Sequence, residues 1–207
     1  MKRILVAATA AALLMGFALP ARAGNIIDEW ASVKLPPAPA LKPVKLDPKT
    51  TALLMLDFMK QNCGKRPTCV ASVPHVKKLL DAARAAKATV VYSFIAKTTA
   101  ADVIADVAPQ ADEPHVTSGP DKFVHTDLDK ILKDKGIKTV IAVGTSSNGA
   151  VLFTASGAAF RGMSVIVPVD GMTSVDAIAE YASVIDFQTA PFVSNKTMLT
   201  RSDMIKF

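Results

Sequence analysis

The chain has 207 residues and a formal net charge of +6, from 24 Lys and Arg against 18 Asp and Glu. The basic residues are scattered rather than clustered, which excludes the basic patch of a nucleic-acid-binding surface. The length is that of one domain with some chain to spare.

Lys2 and Arg3, the apolar run Ile4 to Leu19 and the small-x-small triplet Ala21-Arg22-Ala23 read as a secretory signal peptide over residues 1–23. Gly16 and Pro20 interrupt the run, and it is short for a bilayer span. Cleavage after Ala23 is therefore expected, giving a periplasmic or secreted protein that is soluble, with no membrane contact once the leader is gone. Lys2, Arg3 and Arg22 would leave with it, taking the net charge to about +3.

Residues 24–49 carry Pro36, Pro37, Pro39, Pro43 and Pro48 and read as an extended arm, with Trp30 expected to anchor it by burying its ring. Ala52 to Leu56 is a continuous apolar run ending at Asp57, the pattern of a fully buried strand. Cys63 and Cys69 are the only cysteines. In an oxidising compartment such a close pair, separated by Gly64 and Pro67, closes a small loop as a disulfide. A thiolate metal site would need further ligands, and a redox pair would have two residues between its cysteines.

Val73, Val76, Leu79, Leu80 and Ala83 recur with helical spacing, predicting a helix over 72–87, with His75 on it. Ala88 to Phe94 reads as a strand. Residues 97–121, which include His115, form a long irregular loop, the kind that carries function. Thr126 is placed to cap a helix running to Lys135 and stopped by Gly136. Thr139 to Val143 is a strand, Asn148 to Arg161 an Ala-rich helix, and Ser164 to Val169 a further strand. Thr173 opens a helix to about Phe187 with Asp176 in capping-box position, and Thr197 to Thr200 is a last short strand. Strands alternating with helices predict right-handed βαβ units: a three-layer α/β/α domain over residues 50–207 with a parallel, Rossmann-like sheet.

Ligands of such sheets bind beyond the carboxyl ends of the strands, at a topological switch point. That rule selects Asp57, the segment Gly144 to Ala150, and Asp170. Asp57 either works as a general acid or base at the mouth of the pocket or caps the next turn. The first strand lacks the glycine fingerprint of a nucleotide- or flavin-binding domain.

Ala52-Leu53-Leu54-Met55-Leu56-Asp57-Phe58 resembles the first strand and catalytic aspartate of the isochorismatase-like (cysteine hydrolase) superfamily. Phe123-Val124-His125-Thr126-Asp127-Leu128 is similar to its F-x-x-T-x-L signature, and Val143 to Val151 falls where the family carries its nucleophile turn. Thr154-Ala155, Ala158-Ala159, Arg161-Gly162 and Val167-Pro168-Val169-Asp170 continue the likeness, which covers Thr50 to Ser183.

The resemblance implies an aspartate acid/base, a lysine and a nucleophilic cysteine. Here Ala150 stands at the cysteine position, and a methyl group forms no thioester. The family lysine lies near Thr117 and Ser118, whereas here Lys122 either reaches Asp57 or is solvated before the helix cap. By the same resemblance the turn at Ser146, Gly149 and Ala150, with the amides of Ser146 and Ala150, would hold an oxyanion or anionic group. Gln61 and Asn62 either hydrogen-bond a substrate or are simply polar loop residues. Ser146 and Ser147 have no histidine placed to activate them. Nicotinamidase relatives hold a metal after the first strand. Met59, Lys60 and Gln61 are poor ligands for one, so neither a catalytic metal nor another cofactor is expected.

The function implied is an exported hydrolase acting on a small polar or anionic molecule. Asp57 would supply acid/base catalysis without a covalent intermediate, as in the vinyl-ether-cleaving members. The alternative is a non-catalytic small-molecule-binding pseudoenzyme of the same fold. The resemblance and the arm also raise the possibility of a homo-oligomer.

Overall fold

The computed structural model describes residues 24–207, so the signal-peptide reading lies outside the described residues. The chain divides into two compact units at Ala38. In the first, Asn25 caps a single helical turn, α1 (Ile26–Glu29), by accepting from the amides of Ile27 and Asp28. Trp30 is exposed there, and its ring is not the buried anchor expected.

The second unit begins at Pro39, ahead of the expected boundary at Thr50. The reason is strand pairing. β1 (Val44–Lys45) lies parallel to β9 (Ile205–Lys206), and the Thr200 hydroxyl donates to the Lys42 carbonyl at 2.7 Å.

The remaining elements alternate as predicted. They are β2 (Thr51–Leu56), α2 (Pro67–Ala85), β3 (Thr89–Phe94), β4 (His115–Thr117), α3 (Leu128–Asp134), β5 (Thr139–Thr145), α4 (Leu152–Phe160), β6 (Ser164–Pro168), β7 (Met172–Thr173), α5 (Ala177–Thr189) and β8 (Thr197–Thr200). The main sheet runs β4-β3-β2-β5-β6-β8, with every pairing parallel and β7 adding beyond β6's end of β5. From β2 the chain winds outward through β3 and β4, then returns to β5 on the other side of β2. That reversal is the switch point.

All six residues of β2 are buried, because helices cover both faces. Ala52, Leu54 and Leu56 face Leu128, Leu132, Ala155, Ala158 and Phe187 from α3, α4 and α5. Leu53 and Met55 face Val73, Val76 and Leu80 of α2. A two-residue side-chain period between two helical layers explains why the strand reads as one uninterrupted apolar run. At full burial each such aliphatic side chain contributes roughly 1.5–3 kcal/mol.

Local chemistry moves several boundaries. α2 starts at Pro67, suited to a first helical position by its fixed φ, and carries Pro74 within it. α5 starts after Asp176, whose carboxylate accepts from the Ala179 amide at 2.8 Å, so Asp176 rather than Thr173 is the cap. The expected helix from Asn148 is a wide turn, Ser147–Val151, before α4. The long loop contains the edge strand β4. Among the described residues no helix is long and apolar enough to cross a membrane.

Candidate active site

A cleft of about 590 Å³ opens beyond the carboxyl ends of β2, β3, β4 and β5. Asp57 follows β2, Ile95 and Ala96 follow β3, and Ser118 to Pro120 and Lys122 follow β4. Thr145, Ser146, Gly149 and Ala150 come from the end of β5 and the turn after it, and Asn62 and Arg66 from the cysteine loop.

Asp57 sits at φ 58, in the left-handed region, which turns its side chain out of the strand direction. Aspartate tolerates that conformation better than most residues, yet it still costs on the order of 1 kcal/mol. Both carboxylate oxygens are engaged. Oδ1 accepts from the Ser93 hydroxyl at 2.7 Å, and Oδ2 from Lys122 Nζ at 2.7 Å. Neither bond caps the following turn.

Lys122 is 1 % exposed, so this lysine is in the cleft and not in solvent. Its burial follows from how its loop is tied. Nζ also donates to the Ser118 carbonyl at 3.3 Å. The Lys122 amide donates to Thr154 Oγ1 at 3.1 Å, and that buried hydroxyl donates in turn to the Pro120 carbonyl at 3.2 Å. Thr126 donates its hydroxyl to the Lys122 carbonyl, and Phe123 lies under the Arg161 guanidinium at 4.1 Å. The Phe123-x-x-Thr126-x-Leu128 pattern is therefore the clamp that inserts Lys122.

The floor of the cleft depends on a close approach of β5 to β2. A Cβ on Gly144, at φ 145, would stand 2.0 Å from the Leu56 carbonyl oxygen, so no other residue fits. The Thr145–Ser146 peptide is cis. In the turn that follows, Ser146 accepts at its carbonyl from the Gly149 and Val151 amides at 3.1 and 3.2 Å. A Cβ on Gly149 would press the Ser146 hydroxyl at 2.6 Å. Ala150 presents its methyl group to the cleft.

Cys63 and Cys69 form a disulfide with their Cα atoms 5.2 Å apart, and both are fully buried. These are the chain's only cysteines, so no thiol lines the cleft.

Two sequence-selected residues lie elsewhere. Gln61 is exposed and donates to Asp102 Oδ1 at 2.7 Å, away from the cleft lining. Asn62 Oδ1 accepts from the Cys63 amide at 2.7 Å and caps the short helical turn, with Asn62 at the cleft and Gln61 outward. Asp170 accepts from the Ser202 amide and hydroxyl at 2.8 and 2.7 Å and ties the C-terminal turn instead of lining the cleft. Asn62, the other polar residue of the Gln61 loop, does line the cleft. Conversely, sequence reasoning missed Arg66, Ser93 and Thr154 as parts of the site. Only Arg66 had a legible signal, a cation before proline inside a cysteine-bounded loop. Among the described residues no three His, Cys, Asp or Glu side chains are grouped to hold a metal ion.

The chain is thus an α/β protein with a parallel sheet and a buried carboxylate–ammonium pair in its switch-point cleft. The family model for the Isochorismatase domain matches residues 51–195, and the chain belongs to that family. The structure is similar to an isochorismatase-like hydrolase from Alkaliphilus metalliredigens, at 26% identity and TM-score 0.67, over 74% of this chain and 95% of that one. It is also similar in fold to a cysteine hydrolase from Pseudomonas syringae pv. phaseolicola, at 23% identity and TM-score 0.69, over 80% and 95% of the two chains. A third likeness is to N-carbamoylsarcosine amidase from Thermoplasma acidophilum, at 23% identity and TM-score 0.63, over 74% and 97%. No curated protein matches the chain.

Proposed function

We propose that the protein is an exported hydrolase that adds water to a small polar or anionic substrate through Asp57, with no covalent enzyme intermediate. The observation that carries this reading is the Asp57–Lys122 pair, buried in the cleft while the position of the family's cysteine holds the Ala150 methyl group. A buried ion pair is seldom the most stable filling for its site, so its retention speaks for chemistry. The methyl group at Ala150 alone would suit a binding protein that has lost turnover equally well, and the intact pair favours the hydrolase.

The chemistry follows from the pair. Lys122 Nζ donates to Asp57 Oδ2 across 2.7 Å, so the pair holds a proton that can move to a substrate in the cleft. Asp57 passes that proton to the methylene carbon of a vinyl ether, leaving an oxocarbenium ion. Water adds to the cation and gives a proton back to the pair, and the hemiketal then collapses to alcohol and ketone. The net change is addition of one water, and no step needs a thiol. The disulfide and the leader-like N-terminus support an oxidising compartment as the place of work.

The test is turnover of a panel of vinyl ethers and small amides by the protein and by Asp57→Asn. Vinyl-ether hydrolysis is expected, reduced by about 100-fold or more in the variant and unaffected by iodoacetamide. Amide hydrolysis that iodoacetamide abolishes would refute the mechanism. Silence on the whole panel, with saturable ligand binding, would favour the binding protein.

A further inference from the structure

We infer that Arg66 is the residue that selects the substrate, by pairing with a carboxylate on it, and that the Cys63–Cys69 disulfide is the strut that keeps Arg66 turned into the cleft. The inference rests on the preceding reading only in taking this cleft as the substrate site.

The first support is a charge inventory. The ionisable side chains lining the cleft are Asp57, Lys122 and Arg66. The first two neutralise each other at 2.7 Å. Among the described residues Arg66 has no carboxylate partner, and its one side-chain hydrogen bond runs from Nη1 to the neutral hydroxyl of Thr145 at 2.8 Å. The cleft thus carries one uncompensated positive charge, on a half-buried guanidinium whose other N–H donors are not taken up by protein side chains. A planar monoanion that accepts two parallel hydrogen bonds matches that charge and geometry; a dianion would leave one charge unpaired.

The second support is position. The Thr145 hydroxyl that holds Arg66 belongs to the residue directly before Ser146, so the guanidinium stands beside the turn carrying Gly149 and Ala150. A substrate gripped there by its carboxylate has the rest of its length for the apolar lining of Ile95, Ala96 and Pro120, in the same cleft as the Asp57 carboxylate.

The third support is how the loop is built. Arg66 lies midway between the bonded cysteines, between a short helical turn, Cys63–Lys65, and the first residue of α2. Pro67 holds Arg66 extended, at φ −115 and ψ 111, and the bond on either side denies the loop the freedom to swing away. Both sulfurs are buried in the core layer that contains Met59 and Val73, so the strut is fastened to the domain and not merely to itself.

Binding of benzoate, benzamide and inorganic phosphate to the oxidised protein, measured by ligand-detected NMR and calorimetry, tests the inference. Variants Arg66→Gln, Arg66→Lys and the double Cys63→Ser/Cys69→Ser are compared, with circular dichroism as the check on folding. The expected pattern is preference for benzoate over both others. Arg66→Gln should weaken benzoate by about tenfold or more with no change for benzamide, and lysine should recover part of the loss. The serine pair should weaken benzoate in the same direction. Should it fail to fold, Arg66→Gln and Arg66→Lys still decide the anchor, and the single variants Cys63→Ala and Cys69→Ala, with folding checked by circular dichroism, decide the strut.

Equal affinity for benzoate and benzamide, absence of benzoate binding at millimolar concentration, or an Arg66→Gln variant that binds like the parent would overturn the anchor. Preference for phosphate would overturn the carboxylate assignment, and a folded cysteine variant with unchanged benzoate affinity would overturn the strut. The readout is binding, so a protein that selects benzoate through Arg66 yet turns nothing over would refute the hydrolase reading and leave this one standing.

Discussion

Replacing Lys122 by methionine removes the ammonium while keeping most of the side-chain volume, and it isolates the energetics of the pair. Lys122 and Asp57 have side-chain exposures of 1% and 7%, at a separation of 2.7 Å. In Lys122→Met the Asp57 carboxylate stays buried with the Ser93 hydroxyl as its remaining side-chain partner. Removing one member of a buried ion pair costs about 3–5 kcal/mol, most of it the desolvation of the charge left behind. With a urea m-value of about 2–3 kcal/mol/M, the unfolding midpoint should fall by roughly 1–2.5 M. The double variant Asp57→Asn/Lys122→Met leaves no buried charge. Its loss should therefore fall short of the sum of the two single losses by about 2–3 kcal/mol, the coupling of the pair. Equilibrium urea unfolding followed by circular dichroism and by fluorescence supplies all four midpoints. A Lys122→Met midpoint within about 0.3 M of the parent, a cost below 1 kcal/mol, would show a pair behaving as though solvated. The buried acid/base unit would then be wrong.

Gly144→Ala should lower the thermal midpoint by several degrees and reduce activity with it, because β5 and β2 must separate to clear the Leu56 carbonyl; a stable, fully active variant would refute the close approach. Tyr92, buried under β3's helix-facing side, has its phenol pushed above the ordinary value, first by burial and against the lowering effect of Arg84. A raised folded-state value means its contribution to stability is intact below about pH 10, the unfolded value, and is lost as pH rises beyond it. Tyr92→Phe should therefore lose about 1 kcal/mol near neutrality, from the bond to the Val107 carbonyl, yet show a flatter alkaline decline in thermal unfolding. An unchanged alkaline slope would refute the assignment.

The α/β class and the family were legible because both depend on periodicity and order. The buried run of β2, the helical spacing in α2 and the sequence of strand ends each repeat a local rule. Boundaries were less legible where a single long-range contact overrides local preference. The start of the domain moved to Pro39 because β1 pairs with β9, more than a hundred residues away in sequence. The edge strand β4 went unseen because three residues of pairing to β3 leave no periodic trace.

The site shows the same division at finer scale. Asp57 is found by the rule that carboxyl ends of strands bear chemistry, since one backbone direction fixes it. Lys122 carries no such mark. A lysine beside Asp121 and before Phe123 reads equally well as solvated, and only the Thr154 and Thr126 hydroxyls, from α4 and from the loop's far side, turn it inward. Gln61 and Asn62 are adjacent and chemically alike, yet the capping bond to Cys63 sends one toward the cleft and the other toward Asp102. Side-chain direction in a loop is a property of the whole hydrogen-bond set. Arg66 combines the two cases: its backbone is set locally by Pro67 and the disulfide, while its charge acquires meaning only once Asp57 and Lys122 have cancelled each other. A cation surplus is a sum over three loops, and no single stretch of sequence contains it.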